Sequence, residues 1–370
     1  MDKNKPKIIA LYLPQFHPTP HNNVWWGKGF TEWTNVGKAK PLYPGHYQPK
    51  VPADLGYYDL RLPEVREAQV DLAREAGIYG FCYYHYWFGN GSEELELPFN
   101  EVLRLGKPDF PFMLCWANES WHKKFWNKDG VGTSKQILIE QKYPGEQDII
   151  DHFYRLLPAF KDNRYIKVDG KPMFMIYRSE QIPDISKLFS IWNNLAIKEG
   201  LPGIHFVTQL NGSQINIEEI NLLLEKGFSG VNVLRLQHIW KNSWSLPVRI
   251  IHKIQKIILR TPNLLSYKRA MKLLTGIEDT YQHVYPTLLP NWDHTPRSGL
   301  NGHVLTHSSP KLFKEHCRII FQKIITKDEK ENFVFLKSWN EWGEGNYIEP
   351  DIKYGHGWIN AIRTALDEIS

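Results

Sequence analysis

Short, nearly continuous apolar runs recur along the chain at 7–13, 78–84, 112–116, 173–177, 204–210, 230–234, 283–288 and 333–339. They are rich in β-branched and aromatic residues and do not alternate with polar ones, which is the pattern of strands buried on both faces of a parallel sheet. Between most of them apolar residues return with helical spacing, at 63–76, 147–160, 185–199, 217–226, 310–326 and 358–369. The first of these helices opens on Pro63 and stops before Gly77. That order suits proline's missing N–H at a helix start and glycine's freedom just past a helix end. Eight strands alternating with helices predict an α/β fold, a (β/α)8 TIM barrel, read as one domain over 1–370; an open doubly wound sheet is the alternative.

Two stretches interrupt the alternation. Residues 14–62 form a long connection crowded with proline and with Trp25, Trp26, Trp33, Tyr43, Tyr47, Tyr57 and Tyr58. Disordered segments lack aromatics, so an ordered excursion over one barrel mouth is expected. The second excursion, about 235–277, lies before strand seven and holds nine Lys or Arg and no Asp or Glu. The whole chain carries +5, so the remainder carries −4. A mildly acidic body with one basic excursion is not a nucleic-acid binder. Within it, 248–260 places apolar positions on one helix face and cations opposite. A helix packed on the barrel with a solvated basic face is the plain expectation. The sharper one is peripheral contact, through 248–272, with anionic lipid or a lipid-linked glycan.

Composition adds one feature. The 370 residues include 14 Trp, 18 Tyr and 18 Phe, more rings than a core requires, and aromatic faces with polar edges suit amphipathic ligands such as sugars. Cys82, Cys115 and Cys317 form no metal-type pair and cannot make a disulfide framework. The apolar start is too short for a signal peptide, and no run approaches the roughly 18 residues of a membrane span. A cytoplasmic protein, with membrane association left open, is the expectation.

In a (β/α)8 enzyme the reacting groups sit at the C-terminal ends of the strands. Those ends supply Tyr12 and His17, then Tyr84, His85 and Trp87, then Trp116, Asn118, Glu119 and Trp121. Later strands add Gln209, Asp293, Asn340, Glu341, Trp342 and Glu344, and Trp33 joins from the first excursion. Glu341 and Glu344 are the informative pair. Neighbouring carboxylates in a partly desolvated cleft raise at least one pKa, so that one serves as acid and the other as base, which glycosidic cleavage requires. His17, His85 and His122, which Glu119 and Asp293 could join, raise a metal site. No ligand spacing supports one, and neither a Gly-rich phosphate loop nor a G-x-S-x-G elbow is present, so no metal and no cofactor are expected.

Several longer motifs carry a resemblance. They are Ile-Ala-Leu-Tyr-Leu-Pro-Gln-Phe-His, Trp-Trp-Gly-Lys-Gly-Phe-Thr-Glu-Trp-Thr-Asn-Val, Tyr-Gly-Phe-Cys-Tyr-Tyr-His-Tyr-Trp-Phe, Cys-Trp-Ala-Asn-Glu-Ser-Trp and Trp-Asn-Glu-Trp-Gly-Glu-Gly-Asn-Tyr-Ile-Glu-Pro. Together they resemble the WbsX-type proteins of bacterial surface-polysaccharide loci, which are similar to glycoside hydrolase family 99, the endo-α-mannosidases. The resemblance implies a retaining, endo-acting glycosidase of a bacterial polysaccharide or related glycan, in which the substrate's own 2-hydroxyl attacks the anomeric carbon. The family pattern Glu-Trp-x-Glu-Gly falls on Glu341 to Gly345, which implies Glu341 as base for the 2-hydroxyl and Glu344 as general acid/base. Tyr347 and Glu349 complete the same implied site. The family has His where this chain has Gly343, and the basic excursion has no counterpart in the hydrolase pattern. Two other readings stand beside it: a glycosyltransferase of polysaccharide assembly, and a non-catalytic glycan-binding barrel.

Overall fold

The computed structural model describes residues 5–122 and 136–369. Eight parallel strands form the centre: β1 (Lys7–Tyr12), β2 (Gly80–Trp87), β3 (Phe112–Trp116), β4 (Lys171–Ile176), β5 (His205–Leu210), β6 (Gly230–Val233), β7 (Val284–Leu288) and β8 (Phe333–Leu336). Each pairs with its sequence neighbours, and β1 pairs with both β2 and β8, so the sheet closes on itself. Ile9 stands opposite Gly80 on one side and Phe335 on the other. The (β/α)8 barrel read from the apolar runs is the fold, and the open sheet is set aside by that closure.

The expected helices appear in order with bounds within a residue or two, and outside the two excursions Leu97–Leu105, a short helix after β2, was not predicted. Helix Pro63–Ala76 ends at Gly77, whose φ of 79° and N–H bonds to the preceding turn make a left-handed cap. A Cβ there would also lie 2.6 Å from Leu366 Cδ1, so the residue is fixed by both backbone and packing.

Two departures from the expected bounds matter for the site. Strand β2 runs on to Trp87, three residues past the expected end, so His85 and Trp87 obey the strand's two-residue alternation rather than loop geometry. Strand β8 stops at Leu336, three residues early. There the chain leaves the ladder: Ser338 N–H donates to the Asn346 carbonyl and Trp339 N–H to the Leu11 carbonyl. A small hairpin results, Asn340–Glu341 against Asn346–Tyr347, with a tight turn at Trp342–Glu344 between its arms.

The first excursion folds into helices Pro20–Trp26 and Glu32–Lys38. It is braced internally by Trp33, whose indole N–H reaches the Tyr58 carbonyl (2.8 Å), and is tied to the loop after β7 by His46 and Gln48 on the Asp293 carboxylate. The basic excursion contains helices Leu236–Asn242 and Leu246–Leu259 and a strand, Asn263–Ser266, parallel to His303–Thr306. Its ends are tied at the base, where buried Arg235 bonds Glu278 (2.7 Å) and Asp279 (2.9 Å). Among the described residues no helix is long and apolar enough to cross a membrane.

Candidate active site

At the C-terminal end of the barrel three carboxylates meet two cations. Arg297, in the loop after β7, donates from Nε to Glu32 (2.9 Å), from Nη2 to Glu341 (3.0 Å) and from Nη1 to Glu344 (2.7 Å). Lys337, one residue past β8, bonds Glu341 (3.1 Å) and stands 3.5 Å from Glu344. Glu341 and Glu344 are also hydrogen-bonded to each other. Glu32 is fully buried and Glu341 only 4% exposed. Fully ionised, this cluster holds three negative and two positive charges, one negative charge in excess and largely out of water, which favours protonation of one carboxyl.

Burial first, and then the neighbouring Glu344 charge, raise Glu341 from the ordinary carboxylate value. Glu344 is buried too, but Lys337 and Arg297 outweigh burial and hold it below that range. The two groups titrate as a coupled pair in which Glu341 is the more readily protonated, and burial also raises the third carboxyl, Glu32, against the pull of Arg297. The resemblance implies Glu344 as the general acid/base. His294 stands 3.7 Å from Glu344 and is kept neutral by burial and by Arg297, its pKa lowered to about 3.

Gly343 explains how Glu32 enters the cluster. A Cβ on Gly343 would lie 1.6 Å from Glu32 Oε1 and 3.1 Å from Arg297 Nε. The space that a side chain would take at the variable position of Glu-Trp-x-Glu is filled here by a carboxylate from the first excursion.

The cluster lies at one side of a cavity of about 500 Å³. Of the residues expected from sequence, Tyr84, Glu119, Trp121, Glu341 and Glu344 line it. Its walls also include Gln15, Tyr86, Tyr177, Arg178, His294, Arg297 and Lys337, which the sequence reading missed. Two signals were available for these. Lys337 and Tyr177 sit at strand ends, and Tyr86 follows Tyr84 by two positions, the period that keeps both on the inner face.

The same alternation removes other expected residues. His85 and Trp87 point outward to helix Glu146–Lys161. His85 Nε2 lies 2.8 Å from His152 Nε2, and the Trp87 ring stacks on His152 at 4.8 Å. Trp116 packs against the same histidine and donates to the Trp87 carbonyl (2.9 Å). Tyr12 also faces a helix, donating to Gln69 (2.6 Å). His17 folds back toward the Pro14 carbonyl (2.9 Å), and Gln209 donates to Asn232 (3.1 Å). Trp33 belongs to a buried ring cluster with Phe16, Tyr58 and Trp342. These seven residues do not reach the cavity wall; they are packing and hydrogen-bonding parts of the shell, which absorbs much of the aromatic surplus. Among the described residues no three His, Cys, Asp or Glu side chains are grouped to hold a metal ion.

A second group supports the site from behind. Asn118 donates to the Tyr143 hydroxyl (2.9 Å) and exchanges hydrogen bonds with the Arg178 backbone, which holds Arg178 against Glu119 (2.8 Å). Asn340 exchanges bonds with the backbone of Leu13, joining the hairpin to the end of β1. Asp293 is enclosed by His46, Gln48 and Thr295 and borders a separate cavity of about 470 Å³, which Tyr347 also lines. Trp342 stacks on Tyr347 at 3.7 Å.

Glu349 lies in this layer, not in the cavity wall. It accepts from Trp342 (2.6 Å), Gln69 (2.6 Å) and Tyr58 (2.9 Å), yet burial outweighs the three donors and pushes its pKa up to about 7. A carboxyl raised on folding stabilises fully below its unfolded value near 4.5 and loses that contribution as pH rises through about 7. Urea titrations across that window should show stability falling by up to about 3 kcal/mol from this group. Glu349→Gln should flatten the slope, and an unchanged slope would place its origin elsewhere.

A family model described as glycosyltransferase WbsX matches residues 8–362. The chain belongs to the WbsX family. Two curated relatives, each called uncharacterized protein WxcX and from two strains of Xanthomonas campestris pv. campestris, are 33% identical over 367 residues. The alignment takes in 97% of this chain and 49% of the relative, so the chain spans about half the length of the curated relatives it matches. Among solved structures, the GH99 endo-alpha-mannosidase from Bacteroides thetaiotaomicron aligns over 98% of this chain and 96% of its own, at 15% identity and a TM-score of 0.54. A glycoside hydrolase-like protein aligns over 98% and 94%, at 16% identity and a TM-score of 0.59. At these identities the likeness is one of fold. This WbsX-family chain is therefore a barrel of the kind that family 99 enzymes use.

Proposed function

We propose that the chain is a retaining, endo-acting glycoside hydrolase of a bacterial polysaccharide or related glycan, using Glu341 and Glu344 and no cofactor. The observation that carries this reading is a carboxylate pair with opposed pKa shifts held between two cations, beside a cavity walled by Tyr84, Tyr86, Trp121 and Tyr177. Glycosidic cleavage consumes that pairing: one group protonates the departing oxygen while the other accepts a proton. The shifts make Glu341 the more readily protonated group in the free protein, whereas the resemblance assigns the acid to Glu344. The direct coupling of the two carboxyls reconciles the two. As a sugar 2-hydroxyl approaches Glu341, that carboxyl passes its proton across the pair to Glu344 and then accepts the hydroxyl proton. Glu344 thereby becomes the acid for the leaving group.

The family description favours a second reading, glycosyl transfer. One experiment separates the readings. The purified chain is incubated with a panel of bacterial polysaccharides and, separately, with nucleotide sugars and lipid-linked acceptors. New internal reducing ends in the first arm support hydrolysis. Nucleotide release with acceptor extension in the second, and none in the first, replaces hydrolysis with transfer. Glycan binding with turnover in neither arm leaves a binding barrel.

A further inference from the structure

The basic excursion leaves several large apolar side chains of one helix in water. On helix Leu246–Leu259, Ile250, Ile251, Ile258 and Leu259 are 62%, 53%, 73% and 65% exposed. At about 100° per residue these four positions fall in one half of the helix. Arg249, Lys253 and Lys256, with Arg260 at the C-cap, fall in the other half. These four residues are not packed on the barrel.

The excursion does have a core of its own. Ile239, Leu265, Tyr267, Leu274 and Trp292 make it, and none of the four exposed residues takes part in that or any other buried cluster. A 14-residue helix is marginal in water by itself, and large apolar residues exposed together on one of its faces mark a surface that meets something. Charge narrows what it meets. Of the nine cations in 235–277, Arg235 is used internally on Glu278 and Asp279. Lys268, Arg269 and Lys272 are exposed on the same excursion, and no acidic residue occurs in it. An apolar half joined to a basic half is the chemistry that fits the boundary between acyl chains and anionic headgroups.

Topology gives the surface its bearing. The excursion follows the C-terminal end of β6, and the carboxylate hairpin follows that of β8, so both belong to the same end of the barrel. We propose that helix Leu246–Leu259 docks this end of the barrel on an anionic bilayer, where a glycan still joined to its lipid would be presented. The docking is independent of the hydrolase reading; only the lipid-joined substrate rests on it.

Vesicle flotation of the 370-residue chain tests the docking without any turnover assay. Vesicles of phosphatidylcholine alone are compared with vesicles that also contain phosphatidylglycerol. Binding is expected only to the anionic vesicles and should be lost in high salt. Lys253→Gln and Lys256→Gln should each weaken it roughly fivefold, and Ile258→Asn with Leu259→Asn at least tenfold. All four residues lie outside the buried clusters, so the variants should melt as wild type does. Absence of flotation, equal flotation with neutral vesicles, or indifference to the apolar substitutions overturns the proposal. So does a dimer in light scattering that Ile258→Asn dissolves, since a second copy would then own the face.

Discussion

Glu344→Gln is expected to lower turnover of a natural glycan by roughly three orders of magnitude while leaving the glycan bound. The amide keeps the shape of the side chain and loses the transferable proton. Two further arms identify the role. With an aryl glycoside whose phenol departs without protonation, Glu344→Gln should recover most of its rate, because the missing acid is no longer required. Glu341→Gln should stay slow on both substrates, because activation of the 2-hydroxyl is needed whatever the leaving group. If the aryl substrate rescues Glu341→Gln instead, the acid sits where the free protein keeps its proton, and the handover across the pair is wrong. Normal turnover by Glu344→Gln would remove the assignment altogether. The pH profile carries the same content. Activity should fall in acid as the pair takes a second proton, and in alkali as it gives up the shared one. The alkaline limb should lie above an ordinary carboxylate's, since burial and Glu344 raise Glu341.

Gly343→Ala is expected to cost about 1–3 kcal/mol of stability and more than tenfold in turnover, although it adds one methyl group. The backbone at Gly343 has no positive φ, so alanine is tolerated conformationally. The cost comes from contact alone: the new carbon would lie 1.6 Å from Glu32 Oε1 and 2.8 Å from Glu32 Cδ. Glu32 must give way, and with it one of three carboxylates on Arg297. Glu32→Ala supplies the control. It should be costly by itself, about 3–5 kcal/mol, as expected when one partner leaves a buried ion cluster. Adding Gly343→Ala to it should cost almost nothing more, because the obstructing carboxylate is gone. A double-mutant cycle measures this coupling directly, and additive losses would show that Glu32 and Gly343 act separately.

Much of the fold could be read from the chain because its strands are buried on both faces and therefore write themselves as continuous apolar runs. The carboxylate pair was legible for a related reason: Glu341 and Glu344 are close in sequence and follow a strand end. What escaped was facing and partnership. A strand residue one position off points to the other side of the sheet, so Tyr84 and Tyr86 reach the cavity while His85 and Trp87 serve the helix layer. Strand ends identified from composition do not carry that parity. Arg297 and Glu32 escaped differently. Glu32 stood in plain view inside Gly-Phe-Thr-Glu-Trp, but its meaning depends on an arginine 265 positions away. No local pattern encodes that.

The way the charges are gathered bears on when the protein can act at all. Glu32 comes from the first excursion, Arg297 from the loop after β7, and Glu341 and Glu344 from the hairpin after β8, while β1 completes its pairing only once β8 is in place. On a ribosome the early carboxylate waits 265 positions for its cation, and longer for its two fellow carboxylates. Such far-separated contacts form late and reward folding only at the end. Chains cut before β8 thus lack the assembled charge cluster, and under the proposed function they should show no turnover.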